Sequence, residues 1–275
     1  MSRLAGCFSN LRGNGRKAVV PYIVAGDPSP AITVDTLHRL VAAGASVLEV
    51  GVPFSDPMSE GPVIQKGHER ALEQGVSLRQ VLSMVTEFRQ QDSETPIILM
   101  GYANPVERMG YADFAQACAA AGVDGLITVD LPPEEVDALN EELKRVAIDN
   151  IFLISPTTPP DRVASIVDSA SGFIYYVAVK GVTGSGDLDT EAVSAQLADI
   201  RKLTSLPLCV GFGIKDAASA AAIAAVADGV VVGSALIDTI VTQTAATGAV
   251  ADGITSAVNL LADIRKGVDG LGSAA

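Results

Sequence analysis

Ala18-Val19-Val20-Pro21-Tyr22-Ile23-Val24, the helical pattern at 31–43, and Val47-Leu48-Glu49-Val50-Gly51 form one unit that the rest of the chain repeats. The two outer runs are short, rich in β-branched residues and nearly continuous in apolar ones, as strands buried on both faces are. Between them Ile32, Leu37, Leu40 and Val41 recur at helical spacing, and Gly44 stops the pattern. Similar runs follow at Ile97–Gly101, 125–129, 151–154, 173–177, Leu208–Gly211 and Gly229–Val232, making eight in all. Each gap has room for a crossover helix. Residues 113–121 end at Gly122, Pro133-Glu134-Glu135 opens a helix with proline and acids in its first turn, Thr158-Pro159-Pro160-Asp161 starts another, and 216–227 forms a further one. Strict alternation predicts an α/β protein with a parallel sheet. A doubly wound open sheet fits the same alternation. The count of eight, in a chain of 275 residues, favours a (β/α)₈ TIM barrel, whose usual size is ~250 residues. The expected organisation is a single domain over 1–275, with a short N-terminal helix within 1–17 and a frayed Gly/Ala-rich tail at 267–275.

Composition bounds the function. The chain carries 19 Lys+Arg against 32 Asp+Glu, a net charge of −13. Such a balance argues against nucleic acid and against an anionic membrane surface, both of which need basic patches. It leaves room for a small anionic ligand in a locally positive site. No apolar run is long enough to span a bilayer, and the N-terminus lacks the apolar core of a signal peptide. Cys7, Cys118 and Cys209 are odd in number and in no metal-like spacing, so they read as reduced thiols in a cytoplasmic protein.

A barrel places its chemistry at the C-terminal ends of strands and in the loops that follow. Glu49 is an acid inside an apolar run. If alternation holds, it faces the same side as Val47 and Gly51. Burial there raises a carboxyl pKa, which suits a general acid; the alternative is a rim residue, solvated or bridged to Lys or Arg. The next loop, Pro53-Phe54-Ser55-Asp56-Pro57-Met58-Ser59-Glu60-Gly61-Pro62, adds Asp56 and Glu60, and Asp27 follows the first strand. Glycine-rich turns follow the last three strands, at 180–186, Gly211-Phe212-Gly213 and Gly233-Ser234-Ala235. Main-chain N–H groups and a helix N-terminus in this position suit a phosphate, with Ser234 placed to cap the helix it precedes. Lys180 reads as a loop lysine rather than a Schiff-base residue. His38 and His68 lie in helical patterns without a metal-spaced partner and read as surface or capping residues.

The stretch from Leu48 to Gln65 closely resembles the signature of the tryptophan synthase α subunit family. Supporting blocks are Gly26-Asp27-Pro28, Met100-Gly101-Tyr102-Ala103-Asn104-Pro105, Asp130-Leu131-Pro132-Pro133-Glu134, Gly181-Val182-Thr183-Gly184, Gly211-Phe212-Gly213-Ile214 and Gly233-Ser234-Ala235. They cover nearly the whole chain in family order. The resemblance implies retro-aldol cleavage of indole-3-glycerol phosphate to indole and glyceraldehyde 3-phosphate. It implies no cofactor on this chain, and a β-subunit partner in an αββα complex, where pyridoxal phosphate (PLP) carries indole onward. By the same resemblance Glu49 shuttles protons and the acid at position 60 serves the ring nitrogen. Thr183 anchors a closing loop and, with Asp56, orients the site. Gly184, Gly213, Gly233 and Ser234 match the phosphate pocket. Tyr22, Met100, Tyr102, Ile127, Val129, Leu153 and Tyr175 match the indole pocket.

The chain departs from that pattern in three places. Ser59-Glu60 stands where the family has Ala-Asp, which lengthens the acid by one methylene. Gly67-His68 stands where a small residue and Asn or Ser are expected. Ala178 removes a hydroxyl ahead of the Gly-Val-Thr-Gly turn. Two alternatives stay open: a free-standing indole-3-glycerol phosphate lyase, which shares these motifs, and a weakly active α homologue that activates a β partner, to which the three changes give weight. A sugar-phosphate isomerase would fit the composition and glycines but not the block from Glu49 to Gln65.

Overall fold

The computed structural model describes residues 2–178, 190–211 and 213–273. Nine parallel strands, β1 (Ala18–Val24), β2 (Leu48–Gly51), β3 (Ile97–Gly101), β4 (Gly125–Thr128), β5 (Asp149–Asn150), β6 (Phe152–Ile154), β7 (Ile174–Val177), β8 (Leu208–Gly211) and β9 (Gly229–Val232), pair in the order β5-β4-β3-β2-β1-β9-β8-β7-β6. β5 and β6 are one stave interrupted at Ile151. Its first half pairs with β4 and its second with β7. The Ile151 N–H donates to the Leu126 carbonyl at 2.8 Å, and the Ser171 N–H donates to the Asn150 carbonyl at 2.8 Å. The two ends of the sheet therefore meet on a single segment, and the eight staves close as a (β/α)₈ barrel. The eight apolar runs correspond to these staves within a residue or two at each end, because unbroken β-branched sequence is what a strand covered on both faces requires.

The helices between strands match the periodicity where it was strong. The pattern at 31–43 is the helix Pro30–Ala42, with proline in its first turn. Asp216 caps Ala217–Ala224 by accepting the Ser219 N–H at 2.8 Å. Three expectations change. Pro133–Glu135 forms a 3₁₀ turn, and the α-helix begins only at Asp137. Ser234 does not cap the helix Ser234–Thr247 from outside: it is the first helical residue, Gly233 holds the cap position, and no side chain caps that end. The tail does not fray from Gly267. The helix Val250–Asp269 runs through it and a 3₁₀ turn continues to Ser273, with Val268 buried and Asp269 paired to Arg16 and Arg265.

The N-terminal helix Arg3–Gly13 closes the bottom of the barrel. Leu4 and Phe8 pack onto Val47, Ile98, Ile127, Ile151, Phe173 and Cys209 inside the ring, with the Phe8 and Phe173 ring centres 5.7 Å apart. A Cβ at Gly125 would fall 2.8 Å from Ile151 and 3.1 Å from Leu4, so glycine is what allows the plug to seat. One carboxylate ties this end together. Asp124, 4% exposed, accepts from Arg3 at 2.9 Å, from Arg89 at 2.8 Å and from the Ile97 N–H at 2.8 Å. It links the plug, the helix Leu78–Phe88 that Arg89 terminates, and the start of β3.

Removing that carboxylate leaves Arg89, only 10% exposed, charged and without its carboxylate, held only by the carbonyls of Gly122, Asp92 and Thr95. Breaking a buried pair in this way costs roughly 3–5 kcal/mol. Asp124→Ala is expected to lose that much in urea unfolding at neutral pH, and Asp124→Asn less, because it keeps an acceptor for one guanidinium.

Candidate active site

At the opposite end of the barrel the strand termini surround a cavity of about 440 Å³. Its wall includes Tyr22, Glu49, Met100, Tyr175, Gly213, Gly233 and Ser234, seven of the residues singled out from sequence. Glu49 lies at the middle of this group. It pairs in register with Tyr22 on one side and Ile98 on the other, so alternation turns it inward, as Val47 is turned one layer below. The residue is fully buried, and neither carboxylate oxygen has a hydrogen-bond partner among the described residues. Burial, and secondarily the nearby charge of Glu60, push its pKa from 4.5 to about 8. At neutral pH the group therefore carries its proton.

Glycines make the room this arrangement needs. A Cβ on Gly51 would lie 2.3 Å from the Tyr22 hydroxyl, and one on Gly211 would lie 2.3 Å from the Tyr175 hydroxyl. Two phenols can thus occupy the barrel mouth on either side of Glu49. Burial raises the pKa of both well above the ordinary tyrosine value. For Tyr22 the charges of Glu60 and Glu49 add to this, and for Tyr175 that of Glu49. Both remain protonated donors.

Glu60 reaches the same group from the loop after β2. The loop is held at several points. Phe54 stacks on Tyr102 with centroids 4.9 Å apart, the Ser59 N–H points to the Tyr102 hydroxyl at 3.4 Å, and the Gln65 amide donates to the Glu60 carbonyl at 2.9 Å. The helix Pro62–Glu73 that follows packs closely on β1. At Gly67 a Cβ would come 3.0 Å from Asp27 and 3.2 Å from Val24, and Arg70 clamps Asp27 with two bonds of 2.7 and 2.8 Å.

This close seating brings His68 into the site, which corrects the reading of that histidine as a surface or capping residue. It is fully buried. Its Nδ1 accepts the Phe54 N–H at 3.1 Å. A main-chain N–H can only donate, so the ring proton sits on Nε2. Nε2 lies 2.6 Å from Glu60 Oε2 and 3.3 Å from the Tyr22 hydroxyl. The Glu60 contact is close but lies out of line for a straight hydrogen bond, leaving Oε2 without an aligned donor. Helical periodicity could not reveal this, because a buried polar residue on the inner face of a helix looks like any residue of that period. His38 is not a surface residue either. It is partly buried and stacks on Phe88 at 4.5 Å.

The remaining candidates divide. Ile127 is fully buried in the barrel floor beneath the cavity. Tyr102 is buried and serves the loop. Val129 and Leu153 pack with Met100 and Tyr175 on the inner barrel cluster and also line a second cavity of about 300 Å³, together with Asp130, Leu131, Thr158 and Arg162. Asp56 is exposed at the loop surface, where it accepts from Ser55. Thr183, Gly184 and Lys180 lie outside the described residues, as does the turn that follows Ala178. Sequence reasoning passed over Lys215, which is exposed and lines the first cavity two residues beyond Gly213. Gly233 and Ser234 place the N-terminus of the 14-residue helix Ser234–Thr247 at the same wall, a natural seat for an anion. Among the described residues no group of three His, Cys, Asp or Glu could hold a metal ion. No described helix is long and apolar enough to cross a membrane.

The arrangement can donate a proton from Glu49, accept an N–H at Glu60, and bind an anion at Gly213, Gly233 and Ser234. Known proteins share this frame. Residues 8–265 match the family described as tryptophan synthase alpha chain. The tryptophan synthase alpha chain of Thioalkalivibrio sulfidiphilus is 56% identical over 269 residues, covering 98% of this chain and all of that one. That of Nitrosococcus oceani is 59% identical over 237 residues, covering 86% and 88%. The crystal structure of tryptophan synthase subunit alpha from Legionella pneumophila superposes with a TM-score of 0.91 at 44% identity, over 98% of this chain and 99% of that one. With a family match over nearly its whole length and relatives above half identity, this chain belongs to the tryptophan synthase alpha chain family.

Proposed function

We propose that the chain is a lyase that cleaves indole-3-glycerol phosphate to indole and glyceraldehyde 3-phosphate. The observation that carries the reading is Glu49: a fully buried carboxyl, raised to a pKa of about 8, with neither oxygen hydrogen-bonded to a described residue, in the wall of a cavity that also holds a helix N-terminus suited to an anion. Glu49 gives its proton to indole C3, which turns the ring into a leaving group. The resulting carboxylate takes the proton of the hydroxyl on the adjacent side-chain carbon. That O–H pair becomes the carbonyl of the aldehyde, the bond between C3 and the side chain breaks, and its electrons restore the indole. One proton enters and one leaves at the same group, which a carboxyl with a pKa near the working pH does well. Glu60 accepts the ring N–H as positive charge develops there, in surroundings that exclude water. Main-chain N–H groups at Gly213, Gly233 and Ser234 hold the phosphate, with Lys215 adding a positive charge at the rim.

The family name implies a β-subunit partner. We assign to this chain the docking role of an α subunit in an αββα assembly, with PLP confined to the β subunit and no cofactor on this chain. We place the protein in the cytoplasm. Thr183 and Gly184 are assigned to the closing loop and the phosphate pocket on the resemblance of their motif, and Asp56 to the loop beside them.

Purified protein is expected to release indole from indole-3-glycerol phosphate, and more rapidly with a β subunit present. Glu49→Gln should lower kcat by about 10²–10⁴, and Glu60→Ala by about 10²–10³. Unchanged turnover in either variant would remove that residue from the mechanism.

Glu49 also predicts a pH signature in stability. Its carboxyl is neutral in the fold up to about pH 8 but ionises near 4.5 in the unfolded chain. The unfolded state therefore binds fewer protons between those values, and stability falls as pH rises through them. Glu49→Gln should gain on the wild type from pH 5 to pH 8, by up to about 1.4 kcal/mol per unit. Chemical denaturation midpoints at the two pH values measure this. A pH-independent difference would mean that the carboxyl is not held neutral.

A further inference from the structure

We propose that His68 is a positioning residue for Glu60: its Nε2 side holds the longer carboxylate at the depth where it meets a substrate N–H. The proposal rests on the reading of Glu60 as the acceptor for that N–H. Three features of the geometry lead to it. First, the imidazole has one available orientation. The Phe54 N–H occupies Nδ1 at 3.1 Å, which turns the protonated Nε2 toward Glu60 at 2.6 Å and Tyr22 at 3.3 Å. Second, the pair is sealed: the His68 and Glu60 side chains are 1% and 4% exposed, so the contact is screened little by solvent. Third, the helix can bring His68 this close because Gly67, next to it, presents no side chain to Asp27 and Val24. The two departures from the family pattern, at 60 and at 67–68, thus meet in one contact.

The contact also explains how a lengthened acid can work. Glutamate adds a methylene, about 1.5 Å of reach, and one torsion whose freedom would scatter the carboxylate. The close contact with the Nε2 side of His68 limits where that end of the carboxylate can sit. Because the contact is out of line with the ring N–H, Oε2 has no hydrogen-bond partner among the described residues and keeps acceptor capacity for a substrate N–H. Shortening residue 60 to aspartate would instead open the 2.6 Å contact by up to that same length.

A double-mutant cycle on the full chain, assayed for indole release with a β subunit present, tests this. His68→Ala and Glu60→Asp are each expected to lower kcat by about 10- to 100-fold, as a displacement of about 1 Å does, with KM changed by less than about threefold. The double variant should be little worse than the poorer single one, because both remove the same contact. Multiplicative losses, or unchanged kcat in His68→Ala, would overturn the proposal. Two conservative variants separate positioning from mere support of the loop. His68→Gln places an N–H near the Nε2 position, and His68→Asn places an acceptor near Nδ1, facing Phe54. Rescue by Gln above Asn supports the proposal; rescue by Asn alone overturns it.

A readout independent of turnover comes from nitrogen NMR. The chain has two histidines, so His38 serves as the internal reference. Glu60→Gln should move the His68 Nε2 resonance and leave His38 in place. An unmoved Nε2 would overturn the pair whatever the activity. If the wild type released no indole, the functional reading would fall and His68's role in it as well. Indole release with multiplicative losses would overturn this proposal alone.

Discussion

Glu49 puts a carboxyl inside a wall of apolar staves and gives it no hydrogen-bond partner among the described residues. Leaving such a group ionised in that position would be costly, so the structure keeps it neutral and puts the cost into a raised pKa. Much of the barrel mouth follows from this one constraint. The neighbours at the same level are phenols that stay protonated, not cations that would draw the proton off. Gly51 and Gly211 are the positions where any side chain would displace those phenols. Below, Leu4 and Phe8 fill the tube with apolar side chains. A stability liability in the empty protein is therefore the source of a proton donor near neutral pH.

The second carboxylate is positioned by different means. Glu60 comes from a loop, and loops hold position only as well as their attachments do. Here the attachments are Phe54 on Tyr102, Gln65 on the Glu60 carbonyl, and the helix Pro62–Glu73 clamped to Asp27 through Arg70. The clamp and the glycine beside it set how far the helix sinks toward β1, and that depth decides what His68 can touch. A packing contact between backbone and strand thus bears on where a carboxylate sits several residues away.

The barrel was legible in sequence because its signal is local and repeated. Each stave declares itself by an apolar run, and Glu49 stands out as an acid that breaks one. The helix N-terminus that we assign to phosphate was marked in sequence by its glycine turn, although the cap proved to be Gly233 with Ser234 already helical. What sequence could not show depends on distance through space. His68 shares its period with the other inward positions of its helix, and only the packing at Gly67 reveals where it points. Val129 and Leu153 alternate as inward strand residues should and pack with Met100 and Tyr175 on the inner cluster, while the second cavity that they also line with Asp130 and Arg162 has no local sequence signal. Asp56 and Glu60 have the same composition-level signal four residues apart. The loop turns one out to solvent and the other in.

The plug at the bottom has a consequence for traffic. A barrel stoppered by Leu4 and Phe8 is a vessel with one mouth. Under the proposed reaction one molecule enters and two leave, all through the opening that the loops after the strands surround. Arrival and departure then share a doorway and compete for it. Whatever settles over that face, a loop of this chain or the surface of a partner, governs both directions at once.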